Sequence, residues 1–244
     1  MDIYEYLSSR NIIVNDEKFK DIAEVKNIYA QIQLIADAHS KLLEGRESII
    51  PRIDSTIGRE IENYKVDIKK NKKFINKIEN NKNISENEWY LINEGKKIVR
   101  KAEETLNLLD LDMYYKIIKR SMKRYEICLG RVDENSLRVD KNEIIYLKTT
   151  KYISYNLVES DCYSYIKKLK RRKKECNIDL VIKDFVNKSQ LDEDSIKYLK
   201  ILSIYPNESM KLLDRYRNEK LDIKDENIIK KINYAEEIDD IKEE

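Results

Sequence analysis

Tyr125-Glu126-Ile127-Cys128-Leu129 and Glu143-Ile144-Ile145-Tyr146-Leu147 are the two runs whose reading decides the fold of this chain. Both are rich in β-branched and aromatic residues. The polar stretches Asp133-Glu134-Asn135-Ser136 and Asp140-Lys141-Asn142 lie between them, so the region reads as short strands joined by turns. Residues 125–161 alone show this pattern, and everything else reads as helix. A loop between strands, set into a helical body, is a common place for chemistry because a rigid frame presents its side chains.

Working outward, apolar residues recur at helical spacing on both sides. Toward the N-terminus, a short amphipathic segment around Ile3, Tyr4, Tyr6 and Leu7 precedes a helix expected over 18–43, with Gly45 as its stop. The only histidine, His39, sits in that helix. A general base needs a partner and a substrate beside it, so a lone helical histidine reads as structural. Narrow apolar stripes at 57–78 and 85–109 flank the polar turn Asn80-Asn81-Lys82-Asn83, and Ser85-Glu86-Asn87-Glu88 forms a capping box. Together they predict an antiparallel helical hairpin. A helix over 111–124, with Tyr114, Tyr115, Ile117, Ile118 and Met122 available for burial, leads into the strand expected at Tyr125.

Beyond the strands, helices are expected at 158–174, 178–186, 192–203 and 208–218, with Pro206 separating the last two. Residues 221–244 form an amphipathic, acidic tail that can dock on the body or be taken by a partner. The first of these helices ends in the one dense basic cluster: Lys167, Lys168, Lys170, Arg171, Arg172, Lys173 and Lys174. Such a run can grip phosphates, or it can be a solvated helix end that suits the negative pole of the helix dipole.

Composition excludes several classes. With 4 Gly and 2 Pro in 244 residues, a many-turned all-β protein is disfavoured and long helices are expected. Basic and acidic side chains, 48 against 46, nearly cancel, so no nucleic-acid or membrane partner is announced globally. Cys128, Cys162 and Cys176 are odd in number and widely spaced, matching neither a disulfide framework nor a zinc site, and read as reduced, buried thiols. Glycine-rich phosphate loops are lacking, and so are the histidines a triad or metal cluster would need. Signal peptide and membrane span are not expected, and the chain reads as cytoplasmic.

The strand region carries a resemblance. Cys128-Leu129-Gly130-Arg131-Val132-Asp133-Glu134-Asn135-Ser136-Leu137-Arg138-Val139-Asp140 is similar, without gaps, to the catalytic loop of the CotS-type spore-coat kinase-like family within the aminoglycoside phosphotransferase-like superfamily. That loop reads C-H-H-D, four variable residues, then N-I-L-I-D. The next stretch, residues 146–157, resembles the metal-binding segment Y-V-I-D-F-D-Y-C-x-Y-D-L, and Asp161 matches the Asp of the helix that follows. Ile35-Ala36-Asp37-Ala38-His39 is similar to the segment L-A-x-F-H, and Ile204-Tyr205-Pro206 with Arg215-Tyr216-Arg217 to the terminal F-P and Y-Y helices. The resemblance spans residues 23–220.

It implies a mainly α fold: a helical kinase-like C-lobe over 1–220, with a β-hairpin region near 125–148 and the N-terminal nucleotide-binding lobe absent. It also implies lost chemistry. Arg131 stands where the catalytic Asp takes the acceptor's proton, and a permanent cation has no base function. Ser136 stands at the metal-binding Asn and Thr149 at the metal-binding Asp, where a neutral hydroxyl is a poor replacement for a carboxylate. Asp133, a candidate substitute base, sits at a variable position. His39 and Asp161 are expected as structural remnants, with no metal and no cofactor.

The function expected is that of a noncatalytic pseudokinase-like structural or interaction component. Its partners would be coat or sporulation proteins, and the spore coat a second possible location. A rival of another class is a nucleic-acid-binding helical protein using the 167–174 cluster. A third is a split small-molecule phosphotransferase whose missing lobe a partner chain supplies.

Overall fold

The computed structural model describes residues 2–44, 51–223 and 226–240. The chain opens with α1 (Ile3–Ser8), β1 (Ile12–Val14), α2 (Asp16–Asp21) and α3 (Ile28–Leu43). Periodicity predicts one helix over 18–43, whereas the chain makes two. The side chain of Asn15 accepts the N–H groups of Glu17 and Lys18, and that of Asn27 accepts those of Tyr29 and Ala30, so each starts its own helix. Between them Ile22 is extended. Arg138 holds this break: its Nη1 donates to the carbonyls of Phe19 at 3.0 Å and Ile22 at 2.7 Å, and its guanidinium stacks on Phe19. The stop expected at Gly45 lies outside the described residues.

The strands are β2 (Ile127–Cys128), β3 (Leu137–Val139), β4 (Ile145–Leu147) and β5 (Ser154–Tyr155). Only β3 and β4 form the hairpin, with Leu137 opposite Leu147. Its turn is closed by Asp140, which accepts the N–H groups of Asn142 and Ile144. β2 pairs instead with β5, Ile127 opposite Tyr155. The sheet is not confined to 125–161, since β1 adds in parallel to β4 to give the order β1-β4-β3. Three β-branched residues are too few to announce a strand; the open edge of β4 selects them. Tyr125 is not in a strand but caps the preceding helix with φ +47°, and the Glu126 N–H reaches back to Ser121 O.

The remaining helices are α4 (Arg59–Glu79), α5 (Glu86–Asn107), α6 (Leu111–Arg124), α7 (Glu159–Arg171), α8 (Ile178–Lys188), α9 (Glu193–Ile204), α10 (Asn207–Arg217) and α11 (Ile228–Asp239). The expected α4–α5 hairpin forms, started by the Ser85–Glu88 capping box. It is tight because Gly95 has no Cβ, which would meet Ile75 Cδ1 at 3.0 Å. Two apolar clusters result. One joins the strands to α3, α6, α7, α8 and α9; the other joins α4, α5, α10 and α11. Tyr64 bridges them, stacking on Tyr205 and hydrogen-bonding Tyr163 at 3.1 Å.

The described part of the tail is docked. Pro206 offers α10 no side-chain cap, and Asp239 at the end of α11 accepts the N–H groups of Glu208 and Ser209 in its place. Not every apolar residue on a helical stripe is buried. Trp89 is exposed, and on α6 Tyr115 and Met122, expected in the core, lie 64% and 60% exposed beside Leu111 at 71%.

The strands meet the helices through a buried charge cluster. Arg120 of α6 pairs with Glu126 before β2 and Glu159 at the start of α7, and it donates to Ser195 of α9. Burial by itself would lower the arginine's pKa, but Glu159 and Glu126 outweigh it and hold the pKa above its ordinary value. Both carboxylates are almost wholly buried, so removing the cation strands two charges. Arg120→Met is expected to lower stability by about 3–5 kcal/mol, read from the denaturant midpoint.

Candidate functional site

The loop between β2 and β3 turns on Gly130. Its φ is +75°, and a Cβ there would lie 2.5 Å from the Tyr152 carbonyl oxygen, so the loop can pass under the 149–152 turn only with glycine at this position. The loop is fixed from below by Asp161 of α7. One carboxylate oxygen accepts the Leu129 N–H at 2.7 Å, the other accepts the Gly130 N–H at 2.8 Å, and the first also meets His39 Nε2 at 2.9 Å. His39 and Asp161 thus meet across 122 positions of sequence, both buried. From α3, Gln31 Nε2 donates to the Val132 carbonyl at 2.7 Å.

The loop rims an open cleft of about 850 Å³, and Arg131, Ser136 and Thr149 all line it. Arg131 is exposed and lies over the Tyr152 ring, 4.1 Å from its centroid. The hydroxyl of Ser136 donates to Asp133 at 2.9 Å. Thr149 Oγ1 accepts the Lys151 N–H at 3.2 Å, which turns the chain after β4. Lys148, Lys168 and Arg171 complete a lining of four cations against two carboxylates, Asp16 and Asp133.

Asp133 is already engaged. Burial would raise its carboxyl, but hydrogen bonds from Lys168 and Ser136 and the charges of Lys168 and Arg172 hold it below the ordinary 3.8. Lys168 Nζ and Arg172 Nη2 both lie 3.1 Å from its Oδ2.

The same pairing extends along the basic cluster. Lys167 meets Glu60 at 2.9 Å, Arg172 also pairs with Glu134, Lys173 meets Glu237 at 2.8 Å, and Arg171 approaches Glu208 at 3.8 Å. Lys170 donates to the carbonyls of Ser203 and Asp239. The run that looks like one basic patch is distributed around a helix end and faces several acidic neighbours. Lys174, at the end of the run, is exposed.

Among the described residues, one group beneath the loop has metal-ligand chemistry: the donor atoms of His39, Cys128 and Asp161 lie within 4.8 Å of one another, all buried. Their bonding fits a hydrogen-bonded core better than an ion. Both Asp161 oxygens are taken by N–H groups, and the Cys128 thiol donates to the Leu157 carbonyl at 2.8 Å, burial pushing its pKa well up. Cys162 is likewise buried, whereas Cys176 is only half-buried.

Sequence reasoning missed Gly130, Tyr152 and Lys148 as parts of this site. Gly130 had a signal, being one of only 4 glycines and lying next to Arg131. The other two had none, because a surface tyrosine or lysine acquires meaning only from what it faces.

Two measurements check this geometry. Asp161→Ala leaves two backbone N–H groups and His39 without an acceptor and is expected to cost about 3–5 kcal/mol in thermal or denaturant unfolding. For Asp133, whose folded pKa is depressed, the stabilising contribution is complete above pH 3.8 and is lost as pH falls through the lower folded value. The stability gap between the wild type and Asp133→Asn should therefore be constant near neutrality and narrow below that pH.

No protein-family model matches the chain, and no curated protein matches it. Among solved structures it is similar to an aminoglycoside phosphotransferase from Alicyclobacillus acidocaldarius subsp. acidocaldarius DSM 446, with a TM-score of 0.67 at 10% identity. The match covers 89% of this chain and 66% of that one. At this identity the likeness shows the fold, a mainly helical kinase-like lobe with small sheets. None of the helices among the described residues is long and apolar enough to cross a membrane.

Proposed function

We propose that this chain is a noncatalytic, kinase-like component that acts by holding a partner protein or as structure, in a spore coat or in sporulation. The observation that carries the reading is the convergence of Arg131, Ser136 and Thr149 on one cleft. Phosphoryl transfer needs a carboxylate to position the acceptor and oxygen ligands to hold magnesium against the phosphates. At these positions the cleft offers a cation stacked on Tyr152 and two hydroxyls already committed to local hydrogen bonds. Asp133, the nearest alternative base, is locked by Lys168 and Arg172.

The sign of the cleft points the same way. Aminoglycosides are polycations, and a lining with four cations and two carboxylates repels them. A partner lobe that brought nucleotide would still meet Arg131 at the position of the base, which counts against a split phosphotransferase. The intrachain pairing of the 167–174 cluster weakens the nucleic-acid reading, since neutralised cations release few counterions. Exposed Leu111, Tyr115 and Met122 on one side of α6 favour a protein partner. The spore setting rests on the sequence resemblance to the CotS-type family.

In phosphate-release assays with ATP and magnesium, across aminoglycoside and other hydroxyl acceptors, the expected turnover is indistinguishable from buffer, and ATP with magnesium should not raise the melting temperature. Magnesium-dependent turnover would overturn the proposal.

A further inference from the structure

We propose that the exposed face of α6 docks on an anionic lipid surface, its apolar side chains entering the bilayer and the lysines beside them meeting headgroup phosphates. This goes beyond the noncatalytic reading and does not rest on it, since no residue of α6 lines the cleft.

Helical spacing sorts the residues of α6 into stripes. Met113, Ile117 and Ser121 are buried and fix the helix to the body. Leu111, Tyr115 and Met122 make a second stripe that stands out into solvent, and exposed Tyr125 caps the helix just beyond it. Lys116, Lys119 and Lys123 make a third, on the other side of the apolar one from the buried stripe, and all of them are exposed. Among the described residues Lys119 and Lys123 make no ion pair, and Lys116 lies 3.9 Å from Asp194. Arg124 is drawn off toward Glu126 at 3.6 Å. Asp112 stands in the first turn at the end of the lysine row, where the helix dipole favours a carboxylate.

Apolar exposure by itself suits a protein partner, but the lysine row narrows the choice. The centre of a protein interface is depleted in lysine, because each desolvated ammonium needs a fixed carboxylate opposite it. An anionic bilayer imposes no such register, since its headgroups diffuse to whichever cations arrive. A helix lying in the plane of that surface needs apolar side chains on one face and long cationic ones at its edge, whose methylenes stay in the apolar layer while the ammonium reaches a phosphate. Tyr115 adds a ring whose hydroxyl suits the headgroup level. The 14 residues of α6 span roughly 21 Å, so both rows can meet one flat surface along their length. Such a helix lies on the membrane without crossing it, in keeping with its charged face.

The test is co-sedimentation of the full chain with vesicles of phosphatidylcholine mixed with phosphatidylglycerol, against vesicles of phosphatidylcholine alone. The result expected is binding to the mixed vesicles that weakens as salt is raised, with little binding to the neutral ones. Lys119→Gln/Lys123→Gln should weaken it at least about tenfold, and Tyr115→Ser/Met122→Ser by a similar factor. Lys119→Arg/Lys123→Arg should retain it, which separates lost charge from a disturbed helix. Because these side chains are exposed, both weakened variants should melt as the wild type does; if one does not, the other pair decides. Absence of binding to the mixed vesicles, equal binding to both kinds, or binding indifferent to both pairs of substitutions overturns the proposal. So does self-association in vesicle-free sedimentation that Tyr115→Ser/Met122→Ser abolishes, which would assign the face to a second copy of the chain.

Discussion

The carboxylate of Asp161 is the constraint on which the rest of the site depends. It reaches from the first turn of α7 to two consecutive backbone N–H groups, at Leu129 and Gly130, while His39 from α3 closes the same group from the other side. A buried carboxylate with fewer donors would be costly to keep, and N–H groups in a loop without an acceptor would be equally so. Each therefore requires the other. The backbone held this way brings Gly130 beneath Tyr152 and aims the following residue into the cleft. Because the bond runs to backbone, the side chain at the next position can change without disturbing the frame.

On the proposed reading, that separation of frame from chemistry lets the fold hold together with Arg131 at the position of a base. Fold stability here comes from elsewhere. Two apolar clusters joined at Tyr64 and a buried Arg120–Glu126–Glu159 cluster tie strands to helices, and neither depends on a nucleotide or a metal. On the proposed reading, substitution at the loop has inverted the sign of the cleft. On that reading, a site that would gather a metal with carboxylates instead presents cations, which disfavours phosphoryl transfer.

Helix positions were legible because their signals are local. The Ser85–Glu88 capping box, the stripes of α4 and α5 and the stop at Pro206 all depend on residues a few places apart. Where the sequence misled, a distant group had intervened. The helix expected over 18–43 breaks because Arg138, more than a hundred residues away, takes the carbonyls of Phe19 and Ile22. Tyr115 and Met122 have the spacing of a core stripe, yet among the described residues no element covers that side of α6, and periodicity cannot say whether a cover exists.

The sequence by itself determined a mainly helical chain with a short stranded region, because helical periodicity and turn residues are written along the chain, while Arg131, Ser136 and Thr149 became positions of interest only through the family resemblance. Tertiary structure alone decided that those three share a cleft, that β1 joins β4, that His39 meets Asp161, and that the 167–174 cluster is largely spent on acidic partners from other elements. The physical reason is range. Caps and stripes act over one or two turns of helix, whereas ion pairing, strand addition and the sign of a cleft depend on residues that only folding brings within a few ångströms.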